Sequence, residues 1–438
     1  MKPKVSPIPL SLRRNFSWTL TGNIVYSACQ WGMLIIFAKL GTPEMVGEFT
    51  YALAVTAPVF MLTNLQLRAV QATDSQVQYK FSDYLALRLM ATGIGLLAIF
   101  SIVSLFPHSN TTAWIVILVA IAKGIESISD VCYGFIQQHE RMDFISISLI
   151  LKGILSLSML TVGLVLTGSV VGGVAGLAIA WLLLLLGYDW LTVRRLAKLL
   201  GVVDVRQLRP RWQWTTQRQL IWLTLPLGFV MLLISLNTNI PRYFIEHYLS
   251  ARELGIFAAI AYLMLMGSII QGALAQSAAP RLAKYYAEGK RDAFISLLFK
   301  LVALACVLGT AVVVVSSFAG KQILALVYKP EYAQYSHLLV WLMVAAAMDY
   351  VSSFLGTAMT AARYFRVQVP LFMSTAGTLA IACVLFIPRW GLDGIPFAMI
   401  LTGLIRILAS LAILAHGLCK PIALDQEDRP NHALPSLD

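Results

Sequence analysis

Twelve apolar stretches, each about 20 residues long, alternate with short polar segments along this chain of 438 residues. The hydrocarbon core of a bilayer is about 30 Å thick, and an α-helix of roughly 20 residues crosses it. The pattern therefore predicts an all-α polytopic membrane protein. The predicted membrane helices cover about residues 16–38, 48–66, 88–106, 113–135, 144–166, a sixth that ends near 188, 220–240, 254–274, 293–318, 338–361, 368–387 and 392–416.

The longest polar connection lies halfway along the chain, carries seven Arg and Lys residues and predicts a division into two six-helix bundles. The two halves resemble each other, since GTPEMVGEFTYALA in the first parallels LSARELGIFAAIAYL in the second, with Gly47 and Gly255 each just before a second helix. An even number of helices per half predicts that the bundles are parallel repeats. The predicted parts are a cytoplasmic segment 1–15, a bundle 16–190, a linker 191–219, a bundle 220–416 and a cytoplasmic tail 417–438.

The fourth predicted helix carries three charged residues, Lys123, Glu126 and Asp130, among apolar neighbours. At 100° per residue their spacing places all three within an arc of about 60° on one helix face. A charge at the bilayer centre costs roughly 2.5 to 3.5 kcal/mol by insertion scales, so this face is expected to meet a polar or paired interior rather than lipid.

Further charged and polar residues lie at membrane depth in other predicted helices. Two explanations remain open: the charges line a cavity for a polar substrate, or they pair within and between helices and hold the bundle together. The candidate cavity residues are Asn23, Gln30, Lys123, Glu126, Asp130, Lys152, Asp349 and Arg406.

The composition agrees with a membrane protein, because 58% of the residues are hydrophobic and the mean hydropathy is +0.76. The net charge of +12 does not indicate nucleic-acid binding, since basic residues that flank membrane helices produce such an excess. Of the 33 Lys and Arg residues, 24 fall on the side of the predicted N-terminus and 6 on the other. The positive-inside rule therefore predicts that both termini are cytoplasmic.

Motifs of enzymes and cofactor sites are missing from the sequence. There is no GxxxxGK[ST] for a nucleotide and no HExxH for zinc, and the cysteine and histidine residues are scattered. We therefore expect no enzyme, no cofactor and no metal.

Two pairs of motifs carry a resemblance to a known family. They are SWTLTGNIVYSA and KLGTPEMVGEFTYALAV in the first half, and LGIFAAIAYL and AQSAAPRLAKYYAEGKRDAF in the second. With these motifs the chain, over roughly residues 13–415, resembles the polysaccharide-biosynthesis (O-antigen) flippases of the Wzx type. That family belongs to the multidrug/oligosaccharidyl-lipid/polysaccharide exporter superfamily, which implies a MATE-like fold of two six-helix bundles.

The resemblance implies a flippase that moves an undecaprenyl-pyrophosphate-linked oligosaccharide across the bacterial cytoplasmic (inner) membrane. The glycan would serve a surface polysaccharide such as lipopolysaccharide or exopolysaccharide, and alternating access of the two bundles would be driven by an ion gradient. Implied partners are membrane lipids, a polysaccharide polymerase and a chain-length regulator. A pyrophosphate requires cations at the cytoplasmic mouth, and the candidates are Arg68, Arg88, Arg281 and Arg363.

Three alternatives stay open. A cation-coupled multidrug antiporter of the same superfamily generally uses a carboxylate in helix 1, 7 or 8, and the predicted interiors of those helices contain none. A major-facilitator porter would show an acidic-glycine-arginine signature between helices 2 and 3, which residues 68–84 lack. A non-transporting scaffold of a glycan assembly complex would gain little from charges at membrane depth.

Overall fold

The computed structural model describes residues 10–74, 77–105, 109–201 and 208–419, and regular structure in these ranges is helical throughout. The N-terminal half consists of α1 (Leu12–Leu40), α2 (Pro43–Thr63), α3 (Leu67–Thr73), α4 (Phe81–Leu105), α5 (Asn110–Gln138), α6 (Met142–Thr167), α7 (Val170–Leu184) and α8 (Trp190–Leu199), with a π-helical turn at Leu185–Asp189 between the last two. The C-terminal half consists of α9 (Trp214–Tyr248), α10 (Ala251–Tyr262), α11 (Met264–Ala287), α12 (Arg291–Val327), α13 (Ser336–Ala361), α14 (Phe365–Trp390) and α15 (Gly394–Cys419).

The twelve predicted membrane helices are all present as helices. In the described ranges, nine stretches are long and apolar enough to cross a membrane, and α14 and α15 together form one of them. The remaining two predicted helices correspond to α5, which carries the three charges, and to the pair α10 and α11. Both contact the apolar helices around them. The chain is a multi-pass membrane protein.

Several helix boundaries differ from the prediction. The predicted helix 7 ended before Pro241, whereas α9 continues through this proline to Tyr248. The predicted helix 8 is interrupted at Leu263, and its second part, α11, extends through the expected inner loop to Ala287. The first part of the expected linker is also helical, since α8 buries Val193 and neighbouring apolar side chains while its basic residues stay exposed. These extensions are too polar to be recognised from hydropathy alone.

Parts of the predicted termini and linker lie outside the described residues. They are residues 1–9 of the N-terminal segment, residues 202–207 of the linker and residues 420–438 of the tail. The predicted domain limits therefore stay a prediction.

The chain direction defines two ends of the helix assembly. We call the end where α1 ends and α2 begins the α1–α2 end, and the opposite end, which contains residues 208–213, the linker end. The halves meet extensively at the α1–α2 end, where α2 packs on α10. Gly47 and Gly255 were predicted to precede their helices, but each is the fifth residue of its helix. A Cβ atom on either glycine would overlap a backbone carbonyl oxygen of the other helix.

Polar contacts add to the closure of the α1–α2 end. The Arg252 guanidinium pairs with Glu44 of the other half at 3.0 Å and with Glu331 at 3.4 Å. Lys329 Nζ donates a hydrogen bond to the backbone oxygen of Gly41 at 2.6 Å. Backbone and ion-pair contacts thus hold the two halves together at this end.

Candidate functional site

A cavity of about 620 Å³ lies in the N-terminal half between α1, α2, α3, α5 and α6, and we call it the N cavity. Glu126 in its wall lies 12 residues before the last residue of α5, which is about 18 Å from the linker end. The cavity therefore reaches from the linker end to the middle of the helices. Its charged and polar lining residues include Asn23, Tyr26, Asn64, Gln66, Arg68, Lys123, Glu126, Ser127, Asp130, Tyr133, Gln137 and Lys152.

Two lysines and one carboxylate form the first charged cluster, which we call the lysine cluster. Lys123 Nζ lies 2.8 Å from Glu126 Oε2, and Lys152 Nζ lies 2.6 Å from Glu126 Oε1. The Tyr26 hydroxyl of α1 donates a further hydrogen bond to Glu126 Oε1 at 3.1 Å. One carboxylate therefore balances two ammonium groups from two helices.

An indole ring provides the second support of both lysines. Lys152 Nζ lies 4.4 Å and Lys123 Nζ 5.4 Å from the centre of the Trp181 ring, within the range of cation–π attraction. Trp181 is buried, and its Nε1 donates to Ser156 Oγ at 2.7 Å, which fixes the ring. The aromatic face compensates part of the cost of burying the Lys152 ammonium.

Two arginines and one carboxylate form the second charged cluster, which we call the arginine cluster. Arg88 Nη2 lies 3.0 Å from Asp130 Oδ2, and Arg68 Nη1 lies 3.6 Å from Asp130 Oδ1. Arg88 is fully buried and also donates to Asn64 Oδ1 at 2.6 Å, whereas the Arg68 side chain is 31% exposed. Arg68 can therefore meet a ligand in the cavity, and Arg88 positions Asp130.

The two clusters together carry four cations and two carboxylates, an excess of two positive charges. Glu126 and Asp130 are one helical turn apart, about 6 Å along α5. The sequence left two explanations open for the charges, pairing between helices and lining of a cavity, and Glu126 and Asp130 do both. Each carboxylate forms an ion pair, and each lines the N cavity. An anion with two negative charges can neutralise this excess.

A second cavity, of about 350 Å³, lies in the C-terminal half, and we call it the C cavity. Asp349 of α13 and Arg406 of α15 form an ion pair in its wall. Arg242 of α9 also lines it and donates to Asn239 Oδ1 at 2.7 Å. Asp349 and Arg406 therefore belong to a different cavity from the six predicted residues of the N cavity.

Four predicted site residues line neither cavity, and one of them, Arg88, is buried but pairs with Asp130 of the N cavity wall. Gln30 lies one turn beyond Tyr26 on α1 and is not part of the N cavity wall. Arg281 and Arg363 are exposed residues of the C-terminal half. The predicted mouth of four arginines is thus divided, since Arg68 and Arg88 meet at Asp130 whereas Arg281 and Arg363 stand apart from it.

The structure adds site residues that the sequence analysis did not select. Asn64 joins Arg88 to Ser127, and Trp181 supports the lysines, but neither is unusual in an apolar sequence. Tyr133 faces the N cavity with Arg68 5.4 Å above its ring. Arg242 lies beyond the predicted helix 7, which covered residues 220–240, whereas α9 continues past it to Tyr248.

Solved structures share this fold over most of their length. The chain matches an inward-facing multidrug resistance MATE family transporter of the MOP superfamily with a TM-score of 0.72 at 13% identity, over 91% of this chain and 98% of that one. For lipid II flippase MurJ in an inward closed conformation the TM-score is 0.67 at 12% identity, over 91% and 87%. An outward-facing MATE family transporter gives 0.57 at 13% identity, over 92% and 93%. The fold is that of the MOP superfamily transporters.

Sequence comparison narrows this class to a family. Residues 12–286 match the family model described as polysaccharide biosynthesis protein, and the chain belongs to that family. The capsular polysaccharide biosynthesis protein CapF of Staphylococcus aureus is 27% identical over 398 residues, which cover 90% of this chain and 97% of CapF. The predicted family and the predicted MATE-like fold are both confirmed.

Proposed function

We propose that this protein is a flippase that moves an undecaprenyl-pyrophosphate-linked oligosaccharide from the inner to the outer leaflet of the bacterial cytoplasmic membrane. The observation that carries the proposal is the excess of two positive charges in the N cavity, at a depth where unneutralised charge is costly. A diphosphate group supplies two negative charges and accepts charge-assisted hydrogen bonds from Arg and Lys. The family and the transporter fold support the same function.

In this proposal the linker end faces the cytoplasm, as do both termini, in agreement with the bias of basic residues. The diphosphate enters the N cavity from that end and contacts Arg68 and Lys123, whose side chains are partly exposed there. The glycan lies in the C cavity. Thr402 and Asn237 provide hydrogen-bonding groups there, and Tyr262 provides an aromatic wall. The lipid tail stays in the bilayer.

Transport then requires the closed α1–α2 end to open while the linker end closes. The higher similarity to the inward-facing than to the outward-facing MATE structure supports the assignment of the present conformation as inward-facing. The cation clusters hold the substrate, so its release on the outer side requires energy. An ion gradient supplies this energy. A polysaccharide polymerase and a chain-length regulator would use the product on the outer side.

Binding measurements with the purified full-length protein test the diphosphate assignment. We expect a lipid-linked oligosaccharide with a diphosphate to bind at least about tenfold more tightly than the same molecule with a monophosphate, because the second phosphate adds charge-assisted hydrogen bonds. Arg68→Gln should reduce this preference, whereas Arg281→Gln, at an exposed position outside both cavities, should retain it. Equal affinity for the two lipids would contradict the proposal.

A further inference from the structure

A fully buried carboxyl group, Asp189, lies at the end of the π-helical turn between α7 and α8 and belongs to neither charged cluster. π-Helical turns are rare and are found frequently at functional sites. Asp189 Oδ2 is buried, and within the described residues it has no hydrogen-bond partner. A carboxyl group in this setting requires an explanation beyond helix packing.

A short chain of hydroxyl groups connects Asp189 with the N cavity. Ser148 Oγ of α6 donates a hydrogen bond to Asp189 Oδ1 at 2.5 Å. The same Ser148 oxygen lies 2.7 Å from the hydroxyl of Tyr133, and Tyr133 lines the N cavity. Ser148 and Tyr133 are themselves buried. The chain is therefore a route for a proton from the cavity to a carboxyl group that water does not reach directly.

Asp189 forms no ion pair within the described residues. Lys152 is close enough to act on it electrostatically, but its ammonium is paired with Glu126. α7 contains no titratable side chain, and the basic residues of α8 are exposed. The titratable groups that face it from the helices packed against it are Cys132, Tyr133, Lys152 and Tyr188.

We propose that Asp189 is a proton-binding site that exchanges protons with the N cavity through Ser148 and Tyr133 and couples transport to a proton gradient. On protonation, a hydronium ion in the cavity gives a proton to the Tyr133 oxygen, Tyr133 passes its own proton to Ser148, and Ser148 passes its proton to Asp189 Oδ1. Both hydroxyls are regenerated, one water molecule is left, and the carboxylate becomes a carboxylic acid. Deprotonation reverses these steps.

The protonation state of Asp189 reaches the substrate site through Lys152. An ionised Asp189 attracts the Lys152 ammonium and competes with Glu126 for it, whereas a neutral Asp189 leaves the lysine cluster as it stands. Proton binding thus changes how firmly the lysine cluster is held. This coupling step rests on the proposed function, but proton binding by Asp189 does not.

Infrared difference spectroscopy of the full-length protein in lipid vesicles tests proton binding without any substrate. When the pH is lowered from about 8 to about 5, we expect the carbonyl band of a carboxylic acid to appear, because Asp189 takes up a proton through Ser148 and Tyr133. Asp189→Asn should abolish this band. Asp143→Asn, which removes a carboxylate paired with Arg141, should retain it. An unchanged band in Asp189→Asn would overturn the assignment.

The route and the coupling have separate readouts. Tyr133→Phe should retain the band but slow its appearance after a pH jump by roughly tenfold or more, because the relay loses a hydroxyl; an unchanged rate would overturn the route. In vesicles, a pH gradient should accelerate flipping by the unmodified protein but not by Asp189→Asn. If Asp189→Asn responds equally, the coupling is wrong and the flippase stands; if the unmodified protein flips nothing, the proposed function fails while the infrared result remains.

Discussion

Glu126 accepts hydrogen bonds from Lys123, Lys152 and Tyr26, and three different helices supply these donors. Asp130 is held in a comparable way by Arg68 and Arg88. At the scale of single residues, the N cavity is therefore organised by carboxylates that each join two cations. Their removal should affect stability as well as transport.

Glu126→Gln should destabilise the protein markedly. The Lys152 side chain is only 2% exposed, so the substitution leaves a buried ammonium without its carboxylate, a change that typically costs about 3 to 5 kcal/mol. Thermal unfolding in detergent should show a lower midpoint. The double variant Glu126→Gln, Lys152→Met should recover much of the loss, because the unpaired charge is also removed. If the destabilisations caused by the two single substitutions simply add in the double variant, this pairing is contradicted.

The sequence predicted the charged face of α5 and selected Lys152, Arg68 and Arg88 as candidates, but not which carboxylate each of them pairs with. Lys123, Glu126 and Asp130 share a helix, so their spacing alone places them on one face. The partners come from other helices: Arg88 of α4 and Lys152 of α6 meet α5 only through tertiary packing. Asn64 and Trp181 carry no charge and offered no signal.

At the scale of helices, α2 and α10 form the contact on which the closure of the α1–α2 end depends. Gly47 and Gly255 occupy equivalent positions in the two halves and allow the backbones to approach without side chains between them. Small residues permit such close helix packing in membranes. The internal repeat thus creates its own contact surface.

Gly255→Leu should shift the protein toward a state that is open at the α1–α2 end, because even a Cβ atom there would overlap the backbone oxygen of Pro43. Spin labels at Thr42 and Ser250 in a cysteine-free variant should report a longer mean distance by double electron–electron resonance. Gly377→Leu, at a helical glycine of α14 with no atom within 4 Å of the added Cβ, should leave the distance unchanged. An unchanged distance in Gly255→Leu would argue against this contact as a gate.

Helix number and helix order could be predicted because apolar stretches of sufficient length dominate the chain. Helix ends could not, because α9 and α11 continue with a polar composition after the apolar stretch has finished. The interruption at Leu263 also lacks a proline or glycine at that position. Tertiary packing, rather than local sequence, decides these boundaries.

At the scale of the whole molecule, the two halves differ in chemistry although they share a repeat. The N cavity holds two cation clusters, whereas the C cavity holds one ion pair and Arg242 together with aromatic and hydroxyl groups. This asymmetry suits a substrate with a strongly charged end and a hydrogen-bonding end of lower charge. The sequence predicted charges in both halves but assigned them to a single cavity, because distances between helices cannot be read from helix order.

The most direct test of the proposed flippase is the leaflet location of the lipid-linked oligosaccharide in cells that lack this protein. A membrane-impermeant glycan-oxidising label on spheroplasts distinguishes the two leaflets. We predict accumulation on the inner leaflet, with rescue by the intact chain and by Arg281→Gln. Rescue by Arg68→Gln should be at least about tenfold weaker, because Arg68, unlike Arg281, lines the N cavity. Normal labelling on the outer leaflet in the absence of the protein would contradict its role as the flippase.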